Sequence, residues 1–205
     1  MKRIALTILL ACCAWALSAQ GGIPVKYQGA KPTISDLTWA LISYSPDDQE
    51  EDFDEPKNAL VDAWKRHQQG LPQEENVTLT IDQKNGFVLY ESKRDENIFW
   101  IELCFWNEAD QQHKLLAYNV TNRLDGVYSA GQYDALVFYR YDNATKMLTR
   151  CDDPGFEPVM GTDDGKAWIS YNLPRTGKDI TAHYWYEDGK HLEKTLKWNG
   201  HGFGF

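Results

Sequence analysis

Residues 97–120 read NIFWIELCFWNEADQQHKLLAYNV, and from Ile98 to Trp106 the only charged residue is Glu102. Side chains alternate across a strand, so both of its sides are apolar here. Such a strand is either sandwiched between two layers or keeps one face open for a ligand. Phe99, Ile101, Leu103 and Phe105 form one side, which reads as core. Ile98, Trp100, Glu102, Cys104 and Trp106 form the other. Comparable mixed faces recur at Val137, Tyr139 and Tyr141, at Trp168 and Ser170, and at Thr181, His183 and Trp185.

Outward from this stretch, period-two runs dominate everything after residue 76. NVTLTID turns at KNG into FVLYES, IFWIELCFW returns through NEADQQHK as LLAYNVT, and ALVFYRY meets KMLTRC across DNAT. KAWISYNL stands alone, ITAHYWY joins HLEKTLKW across EDGK, and the closing WNGHGFGF reads as a turn and tail. Before residue 76 the period is helical. Ile34, Leu37, Leu41 and Tyr44 share one side, with Thr33 or Ser35 as cap. Leu60, Ala63, Trp64 and His67 make a second stripe between Pro56 and Gly70. The acidic run DDQEEDFDE between the stripes reads as a solvated loop. The expectation is an α+β domain over 20–205, with two N-terminal helices (about 33–70) packed on a mainly antiparallel sheet of eight or nine hairpin-connected strands (about 76–200). The helices are expected to bury the Trp100 face, leaving any uncovered remainder as the binding site.

The first residues set the compartment. Lys2 and Arg3 precede a mostly apolar run from Ile4 to Leu17 and small residues at Ser18 and Ala19, a secretory signal pattern with cleavage expected after Ala19. The run is shorter than the roughly 20 residues of a spanning helix. The alternative is lipid attachment at Cys12, which follows LLA. Without Lys2 and Arg3, 19 basic residues face 30 acidic ones, a net charge of −11. That balance argues against nucleic acid and anionic membranes as partners. It also leaves Cys104 and Cys151 as the two cysteines of the exported chain, and in an oxidising compartment they are expected to form a disulfide.

Chemistry-bearing motifs are sparse. Glu102, mid-strand among apolar residues, is the acid whose pKa burial would raise; a glycosidase would need a second carboxylate across a cleft. The histidines His67, His113, His183, His191 and His201 show no close metal-ligand spacing, although His183 and His191 flank one hairpin. No phosphate loop, nucleophile elbow or zinc-protease motif is present, and no cofactor is expected.

The blocks GQYDALVFYRYDNATKMLTRCDDPGFEP, NLPRTGKDITAHYWYEDGK and KTLKWNGHGF, within residues 86–203, resemble small secreted proteins of unknown function from Gram-negative gut anaerobes. The resemblance implies an exported β-rich domain and carries no catalytic residue. The functional expectation is a non-enzymatic binding or accessory protein that engages a glycan or protein through Trp100, Trp106, Tyr139 and Trp185. The alternatives are a secreted hydrolase built on Glu102 and a structural envelope protein.

Overall fold

The computed structural model describes residues 21–44 and 54–205. The expected signal sequence, the alternative lipidation at Cys12 and most of the acidic run fall outside the described residues. The elements are β1 (Ile23–Pro24), α1 (Ile34–Ser43), α2 (Asp54–Gln68), β2 (Val77–Asp82), β3 (Phe87–Arg94), β4 (Asn97–Asn107), β5 (His113–Leu124), β6 (Val127–Tyr128), β7 (Ala135–Asp142), β8 (Met147–Arg150), β9 (Ala167–Asn172), β10 (Ile180–Tyr186), β11 (His191–Trp198) and β12 (Phe203–Gly204). None of the described helices is long and apolar enough to cross a membrane.

The start of α1 and the end of α2 carry the caps their sequences suggest. The Thr33 hydroxyl accepts from the Asp36 amide while the Asp36 carboxylate accepts from the Thr33 amide, a reciprocal cap on α1. Gly70, at φ 67°, ends α2, and the Leu71 amide donates back to Arg66. Ile34, Leu37, Leu41, Leu60 and Trp64 are buried.

The strands number twelve among the described residues, in two antiparallel sheets, where the sequence suggests eight or nine strands in one. The three unforeseen strands, β1, β6 and β12, have two residues each. The large sheet runs β1-β8-β7-β5-β4-β3-β2, with β6 paired to the C-terminal end of β5; the small sheet runs β12-β11-β10-β9. Phe203, in the supposed tail, is buried. Its amide donates to Pro154 at 2.7 Å, and its backbone lies where a side chain on Gly155 (φ 98°) would have to go.

The opening stretch is therefore sandwiched, though not between the layers expected. Ile101, Leu103, Leu116, Tyr118, Tyr141 and Leu148 face the two helices. Cys104, Trp106, Leu115, Ala117 and Phe138 face Ile169, Tyr171, Ile180, Leu196 and Phe203 of the small sheet and its C-terminal strand. The helices thus cover the Phe99 side, and the small sheet covers the inner half of the Trp100 side.

The expected disulfide is absent: Cys104 and Cys151 are both free. Cys104 pairs with Ala117, Ala117 with Phe138, and the Cys151 amide donates to the Phe138 carbonyl. The cysteines share a row but sit three strands apart, roughly 14 Å at about 4.8 Å per strand. A disulfide needs Cα atoms within about 7 Å. Cys104 Sγ instead lies 3.4 Å from the Pro174 carbonyl, and Cys151 Sγ 3.5 Å from that of Asp153.

Phe138 sits at the centre of the inter-sheet core, in ring contact with Phe156 and Phe203. Phe138→Ala is expected to cost about 3–5 kcal/mol in urea unfolding. A loss below about 1 kcal/mol would mean that the small sheet does not close over this core.

Candidate functional site

The sequence-nominated aromatics separate into three places. Trp106 is buried; its indole N–H donates to the Lys178 carbonyl at 2.8 Å, and its ring packs on Trp198 and Phe203. Tyr139 pairs with Leu116, which faces the helices, so Tyr139 belongs to the opposite side from Trp100. Trp100 and Trp185 remain near one end. The Arg123 guanidinium lies 4.2 Å over the Trp100 ring and donates to Asn172 Oδ1 at 3.2 Å. Tyr128, paired with Arg123, stacks on Trp185 at 6.2 Å.

Glu102 proves to be a fastening for the small sheet. It is opposite Asn119, whose side-chain amide donates both to Glu102 Oε2 at 2.9 Å and to the Tyr171 carbonyl at 2.8 Å. Glu102 Oε2 also accepts from the Leu173 amide at 3.3 Å. Burial pushes the Glu102 carboxyl up to about 7, opposed by the bonds from Asn119 and Leu173 and by the more distant Arg123. No second acid is among these influences. The neighbouring thiol of Cys104 is raised to about 12 by burial and then by Glu102, which removes it as a nucleophile.

The outer face of the small sheet is different in kind. Register places Trp168, Trp185 and His191 in one row across β9, β10 and β11, and Ser170, His183 and Glu193 in the next. The inward-pointing residues Ile169, Tyr171, Ile180, Ala182 and Leu196 leave these two rows facing away from the core. Trp168 is 54% exposed. Trp185 stacks on His191 with centroids 4.0 Å apart and planes within 16°, and its indole N–H donates to Ser170 Oγ at 2.9 Å. His183 and His191 meet nitrogen to nitrogen: Nδ1 of the first is 3.1 Å from Nε2 of the second, with ring planes within 9°. Glu193 Oε1 is 3.4 Å from the same Nδ1. Burial lowers the His183 pKa; Glu193 opposes this, while His191 and Arg123 reinforce it. The hairpin register was the available signal for this cluster: once Trp185 faces His191, His183 lies diagonal to it.

The cavities lie elsewhere. One of about 460 Å³ between α2 and the β2–β3 hairpin mixes Asp62, Glu74 and Glu75 with Arg66, Lys93 and Arg94 and defines no single ligand chemistry. One of about 360 Å³ borders Lys31 and Lys114, and burial followed by Lys31 lowers the Lys114 amine to about 8. Neither adjoins the outer face of the small sheet. No family model, no curated protein and no solved structure matches the chain.

The Glu102 carboxyl gives a pH signature. Its folded value lies above the ordinary 4.5, so its contribution to stability is present below about 4.5 and is lost as pH rises to about 7, on the order of 3 kcal/mol. His183 acts in the opposite sense, so the test is a difference between proteins. Glu102→Gln should match wild type in urea midpoint near pH 4.5 and exceed it progressively toward pH 8. Parallel profiles would show that this carboxyl titrates normally.

Proposed function

We propose that this protein is an exported, non-enzymatic binding protein that engages a glycan on the outer face of the small sheet, with Trp168 and Trp185 as the platform. The observation carrying this reading is Trp168, more than half exposed at the end of a cross-strand row of flat rings. A half-exposed indole contributes little to folding, yet it offers an apolar plane to the C–H face of a sugar ring. Exposed Glu193 and partly exposed Asn172 border the platform and supply donors and acceptors for hydroxyls, while the buried Ser170 holds Trp185 in place. The signal-like residues 1–19 support export, and the acidic charge supports a neutral or basic ligand over a polyanion.

The hydrolase reading keeps one favourable observation, the raised carboxyl of Glu102. Against it, Glu102 is 5% exposed and its Oε2 is engaged by Asn119 and Leu173. Glu102→Gln should leave glycan retention unchanged; loss of turnover of a retained glycan in that variant would reverse the assignment to hydrolase.

Screening the protein against an immobilised glycan panel, followed by calorimetric titration of the hits, tests the proposal. Trp168→Ala should weaken binding at least tenfold, about 1.4 kcal/mol. Phe205→Ala, a change at an exposed ring in the last residue, should leave it unchanged. Retention of full affinity by Trp168→Ala, or the absence of any glycan hit, would overturn this reading.

A further inference from the structure

We infer that His183, His191 and Glu193 form a binding site for a divalent transition-metal ion, held by His183 Nδ1, His191 Nε2 and a carboxylate oxygen of Glu193 with one coordination position open to solvent. The inference does not rest on the glycan reading.

The distances carry it. The ligand atoms of the three residues lie within 4.8 Å of one another, and the two separations at His183 Nδ1 are 3.1 and 3.4 Å. Around a tetrahedral Zn²⁺ with bonds of about 2.0–2.1 Å, adjacent ligand atoms are roughly 3.3 Å apart. Two edges of such a tetrahedron are thus already in place. The ligands come from paired strands, whose backbone fixes them better than loops would. Trp185, anchored by its bond to Ser170, lies flat on the His191 ring and restricts its rotation. In the metal-free pair, one ring donates an N–H to the other at the nitrogens that the ion would join. A small swing of the exposed His191 ring against the largely buried His183 ring turns the two lone pairs from each other toward a common point.

The donor set also defines the kind of ion. Two imidazoles and one carboxylate suit Zn²⁺, Cu²⁺ or Ni²⁺ and do not suit Ca²⁺ or Mg²⁺, which take oxygen ligands. His191 and Glu193 are exposed, so the fourth position faces water, as in sites that admit a further ligand. One feature limits the affinity. With the metal on Nδ1, the single proton of the neutral His183 ring resides on Nε2, which is buried and has no partner among the described residues. Metal-bound histidines ordinarily donate that proton to an acceptor. Micromolar rather than tighter binding follows.

The second cluster of this kind, Glu108, Asp110 and His113, provides the control. Glu108 is already engaged by Arg140 at 2.7 Å, and His113 by Asp110 at 2.5 Å. The experiment is calorimetric titration of Zn²⁺ into the full chain, stripped with chelator and carrying no added histidines. One saturable micromolar site is expected. It should weaken at least tenfold in His191→Ala and in His183→Ala and persist in His113→Ala. His191 is exposed, so its variant should keep the wild-type circular dichroism spectrum; if it does not, Glu193→Gln, also at an exposed position, replaces it. As an independent readout, Cu²⁺ should quench the fluorescence of Trp185, 4.0 Å from the His191 ring. Trp185→Phe should remove that quenched fraction. Absence of saturable binding, or binding that survives His191→Ala or Glu193→Gln undiminished, would overturn the inference.

Discussion

The free edge of β9 is the point on which the second layer depends. A strand edge buried against another sheet carries amides and carbonyls that water cannot reach, and each one left unpaired costs about 1–3 kcal/mol. Here the edge is covered in two parts. The Met160 carbonyl accepts from the Ile169 amide, and the Ala167 carbonyl accepts from the Thr162 amide. Further along, Asn119 donates to the Tyr171 carbonyl, and Glu102 accepts from the Leu173 amide. A cross-strand pair in the middle of the large sheet thus takes the place of a neighbouring strand. This explains why the one charged residue in an otherwise apolar stretch is an acceptor-rich carboxyl: an aliphatic side chain there would leave the Leu173 amide without its partner.

That fastening also sorts the aromatic residues. With β9 pinned against β4 and β5, the small sheet turns Ile169, Tyr171 and Ala182 toward Cys104, Trp106 and Phe138, and its other side chains must face outward. Trp106 becomes core, whereas Trp168, Trp185 and His191 become surface. The division between structural and available rings is set by backbone pairing and could not be set by hydrophobicity, since all are large and planar.

Much of this was legible in the sequence, and the failures share a cause. Eight or nine strands, two helices, a cap at Thr33 or Ser35 and a stop at Gly70 follow from local periodicity and turn chemistry. The two-residue strands β1, β6 and β12 do not, because two residues show no period: β1 is imposed by a partner distant in the chain, Leu148 opposite Ile23, while β6 and β12 are short returns onto β5 and β11. Alternation divides each strand into two faces but does not say which face of one strand joins which face of another. Tyr139 was therefore grouped with Trp100, and only the pairing of Leu116 with Tyr139 assigns it to the helix side. The cysteines failed for the same reason: a shared row in the sheet is invisible in sequence, and so is the number of strands between its members. His183 and His191 meet although the sequence favours separate surface positions for them; the short hairpin fixes its own register and brings them together.

The outer rows of β9, β10 and β11 are surplus to the fold. The inner residues of these strands supply the core, and the edge of β9 is satisfied, so stability places little demand on what points outward. A surface selected for solubility alone would carry Lys, Glu and Thr there. Instead it carries an indole without a ring partner among the described residues, a second indole aligned by Ser170, and two imidazoles in contact with a carboxylate. Exposed aromatic surface on a strand also invites association with other chains, so keeping it carries a liability that folding does not offset. The β-pairing beneath these rows holds their rings and nitrogens at fixed spacing, Trp185 against Trp168 and His191, and His183 against Glu193.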